Sequence, residues 1–207
     1  MGNSTTDKKH WYDGLFYDKL IAPNQDRLFS EIKKIIEPGS TVVDVGCGTG
    51  RFSFNLAEHC KSIVGVDLSS KNISVAKSNL KSSNATNIRF VHGNAVDLQK
   101  QTNEKFDYAV TTYVIHEMDK EDRIEILNEM KEVANKIIIG DYIVPTPSTF
   151  MGKVNVIVEY LAGTEHYNNF KSFVKSGGLI SLVKDANLKL VQEIRNKPRT
   201  AHLVVVE

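Results

Sequence analysis

Cysteine is scarce: Cys47 and Cys60 are the only two among 207 residues. That number and spacing make neither a disulfide framework nor a zinc ligand set, and no other cluster of metal-ligating residues stands out. No sign of charge is in excess, with 26 Lys+Arg against 25 Asp+Glu and a formal net charge of +1. Such balance gives no overall attraction to nucleic acid or to an anionic membrane. No stretch approaches the roughly 18 apolar residues that cross a bilayer. The start, Met1 to His10, is polar and lacks the apolar core of a signal peptide. A reducing, cytoplasmic setting is therefore expected. Internal repeats, low-complexity tracts and long linkers are absent as well.

What remains is an ordinary globular composition, 41% hydrophobic and 25% charged, in a length that suits one large domain. Leu28, Ile32, Ile35 and Ile36 recur at helical spacing until Pro38-Gly39 stops them. Strands are expected at 41–45, 63–67, 88–91, 106–112 and 137–139, with helices between them. The helix at 51–58 follows the first strand. Another carries Ile73, Ala76 and Leu80 behind a Ser69 or Ser70 cap, and a third carries Ile126, Met130 and Val133. The apolar runs are continuous rather than alternating, which is the pattern of strands buried on both faces of a parallel sheet. The order implies a doubly wound α/β fold.

After Pro145 the rhythm changes. Residues 150–161 suit a helix, but Val154 to Val158 also suits a strand. Short helices fit around Phe170, Phe173 and Val174 and around Leu179, Leu182 and Val183. Residues 188–194 and 201–206 read as two closing strands, with Asn196-Lys197-Pro198 favouring an antiparallel hairpin.

The strongest chemical signal is Asp44-Val45-Gly46-Cys47-Gly48-Thr49-Gly50 at the end of the first strand. Alternating glycines let a backbone turn sharply and approach a ligand without a Cβ in the way. The following helix adds oriented N–H groups. A dinucleotide site would show G-x-G-x-x-G, but Arg51 stands where its last glycine belongs. A P-loop would need Gly-Lys-Ser/Thr, which is missing.

This segment resembles motif I of the class I S-adenosylmethionine-dependent methyltransferases. Three further segments fit that family: Asp67-Leu68-Ser69 after the second strand, Gly93-Asn94-Ala95-Val96-Asp97-Leu98 after the third, and Phe106 to Val110 with Ile115-His116-Glu117-Met118 at the fourth. The resemblance spans about Tyr12 to Pro145 and is nearest to the small-molecule, quinone C-methylase-like subgroup. It implies a Rossmann-like three-layer sandwich with a seven-stranded, mostly parallel sheet whose last strand is antiparallel. It implies S-adenosylmethionine as cofactor and S-adenosylhomocysteine as product. The cofactor residues it implies are Asp44, Gly46, Cys47, Gly48, Gly50, Asp67, Leu68, Asn94, Ala95, Thr111 and His116. Asp67 would take both ribose hydroxyls. Asn94 departs from the family's acid, though its amide oxygen can still accept from the adenine amino group. Asp97 suits a cap that orders its own loop, and Cys47 and Cys60 suit packing.

His116, at the end of the fourth strand, is the candidate catalytic base, against a purely structural role. Tyr12, Tyr17, His166 and Tyr167 are candidates for the acceptor pocket. Residues 1–23 would form an arm or lid, and 24–207 the domain, with an acceptor-pocket insertion at about 146–187. The expected partner is a small-molecule methyl acceptor, not a nucleic acid. The rival readings are a catalytically silent cofactor-binding subunit, an enzyme acting on protein or nucleic acid, and an NAD-dependent oxidoreductase.

Overall fold

The structure is a computed structural model. It describes residues 15–161, 163–195 and 200–207, apart from the side chains of 15–24, 150–151 and 154–155. Helix α1 (Leu15–Ile35) opens the described chain, and strand β1 (Thr41–Val45) follows it. Leu28, Ile32 and Ile36, four apart, are buried. Burying each such side chain contributes about 1.5–3 kcal/mol. Then come α2 (Arg51–Leu56), β2 (Ser62–Asp67), α3 (Ser70–Lys81), β3 (Ile88–His92), α4 (Leu98–Thr102) and β4 (Phe106–Thr112). The chain continues through α5 (Lys120–Val133), β5 (Ala134–Tyr142), α6 (Phe150–Leu161), α7 (Thr164–Lys175), α8 (Gly178–Asp185), β6 (Leu190–Arg195) and β7 (Ala201–Val206).

The seven strands form one sheet in the order β3-β2-β1-β4-β5-β7-β6. β1 to β5 pair in parallel, whereas β7 runs antiparallel to both β5 and β6. The central strands are apolar on both faces because helices cover both. Val42, Val43, Val45, Val110 and Ile138 are fully buried. α1 meets α2 through Phe29 and Phe52, whose ring centroids lie 4.9 Å apart, while α5 packs on α4, α7 and α8. The doubly wound fold, the antiparallel last strand and the closing hairpin are as the sequence implies.

Differences are local. α1 runs continuously across the expected boundary between residues 23 and 24. Its helical period extends further back than the buried Leu28 stripe alone suggests. β5 reaches Tyr142, three residues beyond its apolar core, because β7 pairs with it as far as Ala201. Residues 150–161 resolve as helix, not strand. An isolated Val-rich run cannot decide between the two, and α6 packs against α7 with no sheet edge beside it. The turn at 196–199 lies outside the described residues.

Candidate functional site

In a doubly wound sheet the loops that leave the carboxyl ends of the strands share one edge. Register places Val45 beside Val66 and Thr111, and Asp67 beside His92. The loops after β1, β2, β3 and β4 therefore converge, and with them Asp44, Gly46, Cys47, Gly48, Gly50, Asp67, Leu68, Asn94, Ala95, Thr111 and His116.

The glycine loop is built for close approach. Gly48 has φ +54°, and nothing stands within 4 Å of the Cβ that another residue would place there. Gly46 has φ +74°, and a Cβ on it would come within 2.3 Å of Val114 Cγ2. Asp67 braces this loop: its Oδ2 accepts from the Gly48 N–H at 2.8 Å, and its Oδ1 accepts from the Ser69 N–H at 2.9 Å. Oδ1 also accepts from Asn72 Nδ2 at 3.4 Å, and Oδ2 keeps a further lone pair for a ligand hydroxyl. Beside it, Leu68 leaves 37% of its surface exposed, an apolar wall next to an acid. Burial, and last among the causes the negative charge of Glu117, raises the Asp67 pKa against the hydrogen bonds that lower it. An open glycine turn, a braced acid and an exposed apolar side chain together fit an adenosyl ligand.

Asp44 is fully buried and accepts from Ser53 Oγ at 2.6 Å, so it ties the strand to α2. Burial pushes its pKa up to about 7, helped by the charge of Asp67 and opposed by Ser53. Burial likewise holds the Cys47 thiol well above its ordinary value, which is the state of a packing cysteine rather than a nucleophile. Asn94 caps the short 3-10 turn Ala95–Asp97, its oxygen accepting from the Val96 N–H at 3.3 Å. Asp97 pairs with Lys100 at 2.7 Å. Thr111 Oγ1 is buried with no hydrogen-bond partner.

Beyond these loops lies a buried ionic cluster. His116 sits in the 3-10 turn Ile115–Glu117 after β4. Its Nδ1 lies 2.6 Å from Asp141 Oδ1, and its backbone N–H donates to Asp141 Oδ2 at 3.1 Å. Its Nε2 faces Glu159 Oε1 at 3.5 Å and Glu117 Oε1 at 3.8 Å. Burial works against protonation, but the charges of Asp141 and Glu159 overcome it and raise the His116 pKa well above its usual value. The His116 side chain is only 1% exposed, and its Nε2 is buried without a hydrogen-bond partner.

His166, from α7, joins the same cluster. Its Nδ1 is 3.0 Å from Glu159 Oε2 and its Nε2 is 3.2 Å from Glu117 Oε2. Against burial, those two carboxylates lift its pKa to about 9. Glu159 also accepts from the Tyr142 hydroxyl at 2.9 Å. Burial opposes ionisation of Glu159, yet the charge of His116 and the bonds to both histidines hold its pKa below the carboxylate range. Phe170 and Phe173 pack their rings around His116.

Tyr167 turns the other way: it stacks edge-on against Tyr160 at 5.4 Å, with Lys171 Nζ 4.7 Å above its ring. Tyr12 lies outside the described residues, and Tyr17 is placed only by the backbone of α1. The sequence reading missed Asp141, Glu117 and Glu159. Asp141 lies one residue before the end of an apolar strand, much as Asp67 ends β2, and Glu159 is the one acid in the apolar α6, so both carried a signal. No group of three His, Cys, Asp or Glu able to hold a metal occurs among the described residues.

A family described as "Methyltransferase domain" matches residues 36–202. The chain belongs to that family. A demethylmenaquinone methyltransferase of Shouchella clausii is 31% identical over 121 residues, which cover 56% of this chain and 50% of that protein. A putative ribosomal RNA large subunit methyltransferase of Methanocaldococcus jannaschii is 36% identical over 102 residues, 47% of this chain and 25% of that one. The chain thus spans half or less of the length of these relatives. Among solved structures, the magnesium protoporphyrin IX methyltransferase of Synechocystis PCC 6803 with bound S-adenosylhomocysteine has the same fold. Its TM-score is 0.65 at 17% identity, over 97% of this chain and 89% of that one.

Proposed function

We propose that this methyltransferase domain acts on a small, partly apolar molecule, held between the carboxyl ends of β4 and β5 and the α6–α7 segment. One observation carries the reading. The insertion folds back over the strand ends so that His166 and Glu159 meet His116 and Asp141. Aromatic rings of Tyr142, Phe170 and Phe173 close around them. Such a mixed apolar and polar lining suits a small acceptor. The demethylmenaquinone relatives support it.

S-adenosylmethionine supplies a methyl group on a positively charged sulfur. The protein's work is to bind it, align the acceptor and exclude water, and such alignment is worth about 7–11 kcal/mol in favourable cases. Gly46, Gly48 and Gly50 form the turn that admits the cofactor. Asp67 braces that turn and offers the remaining lone pair of its Oδ2 to the ribose, while Leu68, Asn94 and Ala95 line the adenine side. The α6–α7 segment covers the acceptor half.

No helix among the described residues is long and apolar enough to cross a membrane. The near-zero net charge favours a small acceptor over RNA, and cytoplasmic action is part of this reading. Calorimetry tests it. The protein should bind S-adenosylhomocysteine and not NAD, and a crystal of the complex should show a closed space beyond the sulfur, walled by α6 and α7. An open cleft there would favour a macromolecular acceptor. Binding without turnover on any acceptor would favour a silent subunit.

A further inference from the structure

Helix α6 has two faces of opposite character. On the inner one Glu159 is buried and holds the Tyr142 hydroxyl and His166, which fastens the helix to the domain. The outer one carries Ile157, Tyr160 and Leu161 at i, i+3 and i+4, so they lie side by side. They are 56%, 66% and 62% exposed, the three most exposed large hydrophobic side chains among the described residues. Apolar side chains exposed singly are ordinary, but three adjoining on one helix mark a surface that meets another body. α7 continues the patch: Tyr167 stacks edge-on against Tyr160, and Lys171 Nζ lies above the Tyr167 ring. The exposed charged side chains of α6 and α7 are Lys153, Lys171, Lys175 and Glu165, three bases to one acid, in a chain that is otherwise balanced. Lys153 stands one turn before Ile157, and Lys171 and Lys175 follow Tyr167 at successive turns. The lysines therefore rim the apolar patch.

We propose that the outer face of α6 and α7 docks this domain on the headgroup layer of an anionic lipid bilayer. Ile157 and Leu161 enter the boundary between headgroups and acyl chains, where their apolar area leaves water. Tyr160 joins them with an apolar ring and a hydroxyl that stays at headgroup level. Lys153, Lys171 and Lys175 lay apolar stems along the patch and reach lipid phosphates with their ammonium groups. Charge favours this occupant over a second copy of the chain. A two-fold contact sets the same patch against itself, and here it would set lysines against lysines. The contact is peripheral, since no helix among the described residues is long and apolar enough to cross a membrane. The helix that docks also presents Glu159 to the buried cluster, so docking bears on the cover of the acceptor half. That consequence rests on the small-molecule reading above, whereas the docking itself does not.

Co-sedimentation of the full chain with vesicles tests the proposal. Vesicles of equal parts phosphatidylcholine and phosphatidylglycerol should bind it at least about tenfold more tightly than phosphatidylcholine alone, since each lysine near an anionic leaflet adds about fivefold. Salt should weaken that binding. Lys153→Glu with Lys171→Glu should abolish the preference for anionic vesicles. Tyr160→Ser with Leu161→Ser should weaken binding to the mixed vesicles at least about tenfold. Val191→Ser, at a half-exposed apolar position on β6, should change nothing. Unfolding midpoints and S-adenosylhomocysteine affinity should stay at wild-type values in every variant. A chain that binds vesicles as expected but not S-adenosylhomocysteine would keep the docking and lose the cofactor reading. Four results would overturn the docking: no vesicle binding by the wild type, equal binding to both kinds of vesicle, wild-type binding in either double variant, or a dimer in sedimentation velocity that Tyr160→Ser with Leu161→Ser dissociates.

Discussion

His116 and Asp141 lie 25 positions apart and meet at 2.6 Å at the ends of neighbouring parallel strands, both buried. The register that pairs Thr112 with Gly140 delivers them to the same place. Asp141 also accepts from the backbone N–H groups of His116 and Tyr142. Asp141→Ala would leave the buried His116 ring and two buried backbone donors without their carboxylate. A loss of about 3–5 kcal/mol is expected, as for other broken buried pairs, measured by urea unfolding. Asp141→Asn should cost less because it keeps one acceptor. A variant Asp141→Ala as stable as wild type would show that the pair contributes nothing.

Asp67 serves the loop and the ligand together. Asp67→Ala should weaken S-adenosylhomocysteine binding by about 1.5–3 kcal/mol, typical of bonds to a charged group, in calorimetry. Hydrogen exchange at the Gly48 and Ser69 amides should rise in the ligand-free protein, since both lose their acceptor. Unchanged affinity in the folded variant would remove Asp67 from the site.

Folding stability should depend on pH through His166. Its pKa is raised from 6.5 to about 9 on folding. The folded state thus binds more protons than the unfolded one between those values. The stabilisation is complete below pH 6.5 and is lost as pH rises through about 9. In His166→Gln that slope should flatten, as read from denaturation midpoints across the window. An identical profile in the variant would place the titration elsewhere.

Gly46→Ala meets two obstacles, a φ of +74° and the Val114 side chain. The first costs about 1–2 kcal/mol for a residue with a Cβ, and the contact adds to it. Val114→Ala in the same chain should recover only the contact part. Full recovery in the double variant would mean that the backbone conformation relaxes, and no recovery would mean that Val114 is not the obstacle.

The sequence by itself determined the positions of the strands up to β5, the glycine turn and the acid that ends β2. These are local matters: a continuous apolar run, a residue without a Cβ, a carboxylate at a strand end. It also determined that His116 stands at the fourth strand end. Only the tertiary structure decided what His116 is. Its protonation depends on Asp141 in the next strand and Glu159 in α6, neither near it in sequence, and burial strengthens each charge by removing water from between them. The same holds for Val154 to Val158, whose composition suits strand or helix. Packing against α7 made it helix, which carried Glu159 inward to His166.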